Sequence, residues 1–222
     1  MNRSIDAWPK PDQKPTAPII FNFLPLIAPH PSILTGKAGR WHRMKEVRRK
    51  EVIVVAGPSA SGKSYLMRQL TTKKKNEFKD KIYRELNIKP QKTSSSISIG
   101  ALKNLNKKPE HSRKLNKKVI FIHFDLTSRH QDDKKQLLLS IAKHCKKIKV
   151  LTIRTSFNTW RGRMQNRSQT STTKIPRNIA TCIYKTSKYN PFLARWQFRS
   201  VYREWQIFLK EINPANSIFV EN

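Results

Sequence analysis

The sequence has little cysteine and little acid. Its 222 residues include two cysteines, Cys145 and Cys182, which are too few for a disulfide framework or a cysteine-based metal site. We expect both to be packed thiols in a reducing compartment. Aspartate and glutamate total 14 against 46 lysines and arginines, so the net charge is +32. Such a balance favours an anionic partner.

Long apolar runs are also missing. The longest, Pro18 to Pro29, is too short for a transmembrane helix and is interrupted by prolines. The residues before it include Asp6, Asp12 and several prolines, so they lack the features of a cleavable signal. We therefore expect a cytoplasmic protein without a transmembrane segment.

The positive charge has two interpretations. It favours binding to RNA, DNA or another polyanion such as an acidic glycan or lipid headgroup, but it names no substrate. Alternatively, the excess is a compositional habit, because lysine, asparagine, isoleucine and serine are abundant throughout the chain. Composition alone leaves both interpretations open.

Proline and apolar content suggest how the chain is divided. Seven of the thirteen prolines precede residue 41, so residues 1–48 are predicted to form a basic N-terminal arm that is extended or disordered. With 37% hydrophobic content, residues 49–222 are sufficient for one domain with an ordinary core. Within it, residues 88–118 are rich in lysine, serine and asparagine and are predicted to be a flexible basic insertion.

The most informative stretch is GPSASGKS at residues 57–64. It follows the apolar run Val52–Ala56 and precedes Tyr65–Leu70, which has the composition of a helix start. Strand, loop and helix in this order are what the G-x-x-x-x-G-K-S/T pattern requires. Its glycines let successive backbone N–H groups surround a polyphosphate, and the helix N-terminus adds partial positive charge. The pattern therefore predicts binding of ATP or another NTP.

The predicted roles differ along this loop. The predicted nucleotide-binding residues are Gly57, Pro58, Ser59, Ala60, Ser61, Gly62, Lys63 and Ser64. Lys63 would reach the β- and γ-phosphates, and the Ser64 hydroxyl would complete the shell of a Mg²⁺ ion.

A second apolar run, Val119–Phe124, ends in a carboxylate, Asp125. The carboxyl ends of parallel strands share one crevice, so Asp125 is predicted to project towards the loop. There it would hold Mg²⁺ through water or act as a base on the acceptor. The alternative is an aspartate that caps the turn after its strand.

The loop resembles those of the P-loop NTPase superfamily, in particular the nucleoside and nucleotide kinase group, where GPSxxGKS is common. Similar loops occur in transport ATPases. The resemblance covers residues 50–170 loosely and is specific at 57–64. It implies an acceptor site between the loop helix and the next core strands. It also implies a helical lid whose arginines fold over the triphosphate, and Arg161, Arg163 and Arg167 match that placement. A solvated helix face is the alternative for these arginines.

Later segments predict further helices and strands. Ser128–Gln131 has the form of a capping box and predicts a helix through Lys147, followed by a strand at Lys149–Ile153. A long helix is predicted from Pro191, and Ser217–Val220 is predicted to be a last strand. The predicted core stripe of the long helix consists of Phe192, Trp196, Val201, Trp205, Phe208 and Ile212. Its other face carries Arg195, Arg199 and Arg203, which either track a phosphate backbone or are solvated.

These elements predict a three-layer α/β domain of the P-loop NTPase type, with a mainly parallel sheet and the phosphate site at the carboxyl edge of the strands. The leading functional hypothesis is a Mg²⁺-dependent, kinase-like phosphotransferase of unknown acceptor. A nucleotide-dependent nucleic-acid-binding protein or an ATPase is the alternative. A sulfotransferase-like protein that uses a nucleotide sulfate donor is a third.

Overall fold

A computed structural model describes residues 51–72, 77–89, 94–103, 118–145, 147–170 and 178–222. The predicted N-terminal arm, residues 1–48, lies outside the described residues. The strands are β1 (Glu51–Gly57), β2 (Ser94–Ser98), β3 (Val119–Asp125), β4 (Ile148–Arg154) and β5 (Asn216–Glu221). The helices are α1 (Lys63–Thr71), α2 (Glu77–Glu85), α3 (Ile99–Lys103), α4 (Gln131–His144), α5 (Phe157–Thr170), α6 (Ile179–Tyr189) and α7 (Pro191–Ile212).

The five strands form one parallel sheet in the order β2-β3-β1-β4-β5, so β1 lies at its centre. Strands β1, β3 and β4 are almost continuous apolar runs, as expected for strands covered on both faces. In the register of β1 and β3, Gly57 pairs with Asp125. The start of the loop and the predicted carboxylate are therefore neighbours.

Successive side chains of each strand point to opposite faces of the sheet, so the apolar strands have side chains to bury on both faces. Helices cover both faces. Ile53 and Val55 of β1 belong to one core with apolar residues of α1 and α2. Val52 and Val54 belong to a second core with residues of α4, α5, α6 and α7. The described residues therefore form an α/β fold with a parallel sheet between helical layers, as predicted.

The segment predicted to be a flexible insertion, residues 88–118, contains part of the sheet. Strand β2 and the short helix α3 lie inside it, so that prediction was wrong for residues 94–103. Strand β2 occupies the sheet edge and buries Ile97, whereas its serines are half-buried or exposed. A strand with so little apolar content does not stand out in a serine-rich sequence. Residues 104–117 lie outside the described residues.

The predicted capping box at the start of α4 was wrong. The helix begins at Gln131 after His130, whose backbone is left-handed with φ 55°, and no side chain in the described part of the chain caps it. Instead, Ser128 Oγ and Gln131 Nε2 both donate hydrogen bonds to the Asp125 carbonyl oxygen, at 3.1 and 3.0 Å. These polar side chains therefore hold the end of β3, and the helix ends at His144 rather than at Lys147.

The long helix α7 is present as predicted, but its buried face differs. Phe192 and Trp196 are 85% and 56% exposed, so their assignment to the core was wrong. The buried residues are Ala194, Phe198, Val201, Trp205, Phe208, Leu209 and Ile212. The predicted stripe is thus two residues too early in the first half of the helix, where Ala194 and Phe198 are buried, and is correct from Val201 onwards. Trp205 anchors this stripe to the sheet, since its Nε1 donates to Thr152 Oγ1 at 2.8 Å.

Within the part of the chain that the structure describes, no helix has the length and apolar content needed to cross a membrane.

Candidate functional site

Residues 58–62 connect β1 to α1 and contain two backbone positions with positive φ, Ala60 at 64° and Gly62 at 94°. A side chain at Gly62 is unfavourable for a second reason, because a Cβ atom there would overlap the side-chain amide of Asn222. At Gly57, a Cβ would lie 2.7 Å from Ser61 Oγ. Both glycines of the motif therefore stand where the loop packs too closely for a side chain.

Lys63 is the first residue of α1, and its side chain is 4% exposed. Its Nζ donates a hydrogen bond to the Pro58 carbonyl oxygen and lies 3.9 Å from Asp125 Oδ1. Burial lowers the pKa of Lys63 to about 8, against the raising effect of Asp125, and the charge of Arg167 lowers it further. The ammonium is thus poorly solvated, and an added anion beside it would stabilise its charge.

Asp125 ends β3 and contacts the loop directly. Its Oδ2 accepts a hydrogen bond from Ser59 Oγ at 2.6 Å, and its Oδ1 accepts two from the amide and hydroxyl of Thr127, both at 2.9 Å. Burial alone would raise its pKa, but the Lys63 charge and these hydrogen bonds outweigh burial and lower it. Asp125 is therefore ionised at neutral pH. It also caps the turn that follows its strand.

Thr127 is part of the site, although the sequence did not single it out. Its side chain is buried, and its Oγ1 accepts a hydrogen bond from the Ser59 amide at 2.9 Å. A hydroxyl residue two positions after an aspartate at a strand end is typical of a turn, and this was the one sequence signal that could have indicated Thr127. Thr127 thus joins the turn after β3 to the loop after β1.

Helix α5 contacts the loop through two of its side chains. The buried Trp160 donates from Nε1 to the Ser59 carbonyl oxygen at 2.8 Å. Arg163 donates from Nη1 to the Ser61 carbonyl oxygen at 3.4 Å. The predicted helix with arginines therefore lies against the loop, and Trp160 holds the loop as well as packing in the core.

The three arginines predicted for this helix do not share one environment. Arg163 and Arg167 are four residues apart on one face; Arg167 is exposed like Arg161, but its charge lowers the pKa of Lys63. Arg161 is exposed and makes no hydrogen bond to the loop within the described residues. Of the three arginines, Arg163 thus contacts the loop directly, whereas Arg167 acts on Lys63 through its charge.

Two asparagines from distant parts of the chain complete the loop's contacts. Asn178 precedes α6 and caps it, and its Nδ2 donates to Ser59 Oγ at 3.3 Å. Asn222 follows β5, and its Nδ2 donates to the Ser61 carbonyl oxygen at 2.8 Å. Neither residue belongs to a sequence motif, so only the folded chain identifies them.

The two remaining loop hydroxyls lack these contacts. Among the described residues, Ser61 Oγ is buried and has no hydrogen-bond partner. Ser64 is exposed in the first turn of α1, and no hydrogen bond joins it to Asp125 in the part of the chain described. In that part, no group of three or more His, Cys, Asp or Glu side chains is placed to hold a metal. Any metal here would therefore need further oxygen ligands besides Asp125, from hydroxyls, water and a bound anion.

His123 is the other titratable side chain close to Lys63. Burial lowers its pKa to about 4, and the Lys63 charge lowers it further. It is therefore neutral at physiological pH and adds no charge beside Lys63.

Two clefts are lined by Asn222, which contacts the loop, but by none of residues 57–64. The larger, with a volume of about 730 Å³, is the arginine cleft, since Arg154, Arg195 and Arg199 line it with Phe157 and Tyr202. The smaller, of about 340 Å³, lies between α1 and β5. Ligand-sized space with three guanidinium groups thus lies next to Asn222, which contacts the loop.

No protein-family model matches this chain, and no curated protein matches its sequence.

Proposed function

We propose that this chain is a P-loop NTP-binding protein that catalyses Mg²⁺-dependent phosphoryl transfer to an unidentified acceptor. The observation that carries the proposal is the convergence of Lys63 and Asp125 at the carboxyl ends of two adjacent parallel strands, with a left-handed Gly62 at the start of α1. Ligands of such sheets bind at this edge. The proposed setting is the cytoplasm.

The loop offers three kinds of group that suit a polyphosphate. The first N–H groups of α1 lack an intrahelical partner, and no side chain among the described residues caps them, so they are available as donors. The Ser61 hydroxyl is buried and has no partner among the described residues. The Lys63 ammonium is desolvated, which strengthens its attraction to an anion.

Magnesium would be held by Ser64 and Asp125, together with water and phosphate oxygens. Because Ser59 and Thr127 already donate to both Asp125 oxygens, Asp125 is better placed to act through a bound water than as a direct ligand. When bound, the ion would supply charge neutralisation on the β- and γ-phosphate oxygens.

Lys63 and the arginines of α5 would provide the remaining electrostatic stabilisation. Arg163 contacts the loop and would screen charge on the transferred group together with the charge of Arg167, whereas Arg161, which makes no hydrogen bond to the loop among the described residues, contributes less to this proposal than the sequence predicted. Positioning and electrostatics would account for the rate, since phosphoryl transfer needs little covalent participation by the protein.

The experiment compares the wild type with Asp125→Asn, in which the carboxylate is replaced by an amide of similar shape. Mg·ATP should raise the melting temperature of both proteins. ATP turnover, measured alone and with a panel of hydroxyl and phosphate acceptors, should fall at least about a hundredfold in Asp125→Asn only. Asp80→Asn removes an exposed carboxylate from α2 and is the matched control; it should retain wild-type turnover.

Three outcomes would overturn this proposal. The first is wild-type protein that no nucleotide stabilises. The second is Asp125→Asn with unchanged turnover. The third is stabilisation by 3′-phosphoadenosine 5′-phosphosulfate but not by ATP, which would favour the sulfotransferase-like alternative. If ATP hydrolysis requires Asp125 but no acceptor, the proposed site stands and the protein is an ATPase.

A further inference from the structure

The solvent-facing side of α7 carries aromatic and cationic side chains together. Its members, the outer stripe, are Phe192, Trp196, Arg199, Arg203, Ile207 and Lys210. Steps of three or four residues keep all six on one helical face over about 27 Å. The buried residues of the helix lie on the opposite face. The outer stripe is therefore a continuous surface and not a set of scattered side chains.

An exposed helix face normally carries polar residues, and the outer stripe does not follow this rule. Phe192, Trp196 and Ile207 are 85%, 56% and 55% exposed, and no described residue covers them. Single exposed apolar residues are common, but three on one face indicate an interaction surface. The two acidic residues of the helix, Glu204 and Glu211, lie to one side of this face. The outer stripe thus combines apolar area with positive charge alone.

The positive charge extends from the outer stripe into the arginine cleft. Arg199 belongs to both, and Arg195 and Arg154 line the cleft beyond it. The whole chain, at +32, adds a long-range attraction for any polyanion. A ligand that follows this surface must therefore be anionic along its length and must also offer flat apolar groups to the aromatic rings.

We propose that the outer stripe binds single-stranded nucleic acid. The rings of Phe192 and Trp196 stack on unpaired bases, while Arg199, Arg203 and Lys210 contact phosphates. Every base offers a π-face, so this mode is tolerant of sequence. A duplex is a poorer ligand because its bases are already stacked and paired. The interaction does not depend on nucleotide binding by the loop.

The test measures binding of fluorescein-labelled oligothymidylate and oligouridylate to the full chain by fluorescence anisotropy, over a range of salt concentrations. The double variant Phe192→Ala/Trp196→Ala removes both rings without changing the net charge. It should bind at least about tenfold more weakly with an unchanged salt dependence. Phe78→Ala removes an exposed aromatic ring from α2 and is the matched control; it should bind as the wild type.

Two further variants separate stacking from charge. Trp196→Phe retains a ring and should retain most of the affinity. Arg199→Gln/Arg203→Gln should reduce the slope of log affinity against log salt by about 1.4, at roughly 0.7 for each phosphate that is no longer neutralised. Lys63→Ala should bind the oligonucleotides as the wild type does, so the proposed function and this inference can fail separately. Melting curves establish that each variant is folded.

The inference is overturned if the double variant binds oligonucleotides as tightly as the wild type, or if Phe78→Ala weakens binding equally. It is also overturned if duplex DNA binds as tightly as single strands with the same loss in the double variant. Light scattering tests for self-association. If the wild type self-associates, the double variant does not, and both bind oligonucleotides with the same affinity, the outer stripe binds a second copy of this chain instead.

Discussion

At Lys63, opposing effects place a protonation change close to physiological pH. Burial and the Arg167 charge disfavour the ammonium, while Asp125 favours it, and the pKa falls to about 8. An anion bound at the loop would add negative charge and raise that pKa. Nucleotide binding and protonation of Lys63 should therefore favour each other.

Nucleotide affinity is predicted to fall as the pH rises through about 8, because Lys63 of the free protein loses its proton there and only the ammonium attracts phosphate. Well above that pH, the dissociation constant for Mg·ATP should increase about tenfold for each pH unit. Calorimetric titrations between about pH 7 and 9 measure this. Lys63→Met should bind weakly with no such dependence. A flat profile for the wild type would contradict this account of Lys63.

Gly62→Ala is predicted to destabilise the fold by about 1–3 kcal/mol, because alanine disfavours a φ of 94° and its Cβ would overlap Asn222. The control is Gly162→Ala in α5, where a Cβ meets nothing within 4 Å. That change should stabilise by about 0.5–1 kcal/mol, since alanine is the better helix former. Urea denaturation measures both. Equal effects of the two substitutions would show that the backbone at Gly62 is not constrained.

The sequence predicted those residues of the site that belong to short local motifs. The loop residues and Asp125 follow directly from short motifs next to apolar runs. Thr127, Asn178 and Asn222 reach the loop only because the chain brings distant turns together. Such contacts leave no pattern within a short window of sequence.

At the scale of elements, apolar content separates what was predicted from what was not. Strands β1, β3 and β4 stood out because central strands of a parallel sheet are apolar throughout. Strand β2 did not, because an edge strand tolerates serines. In α7, helical periodicity predicted the helix, but large aromatic residues outweighed Ala194 and Leu209 in locating its buried face.

Within α5, Arg167 is predicted to tune the protonation of Lys63 and Arg161 is not. Removing the Arg167 charge should raise the pKa of Lys63, because that charge lowers it in the wild type. Arg167→Ala should therefore move the midpoint of the pH profile for Mg·ATP binding to a higher pH. Arg161→Ala removes the same charge from the same helix and should leave the midpoint unchanged. Identical midpoints in the two variants would contradict the effect of the Arg167 charge on Lys63.

For the whole molecule, a net charge of +32 makes any anion a weak ligand. Binding of ATP by itself therefore does not establish a nucleotide site. Surface attraction is screened by salt, whereas contact with a buried ammonium is screened much less. A test of the loop must accordingly combine elevated salt with a variant that changes charge at the loop and a control that changes it elsewhere.

The most direct test is a calorimetric titration of Mg·ATP into the wild type, Lys63→Ala and Lys185→Ala at about 0.3 M salt, where exposed charges are largely screened. Lys185 is exposed on α6, so its removal matches the charge change of Lys63→Ala. The wild type and Lys185→Ala should bind alike, and Lys63→Ala should bind at least about tenfold more weakly. Equal binding by all three proteins, or binding by none, would contradict the assignment of residues 57–64 as a nucleotide-binding loop.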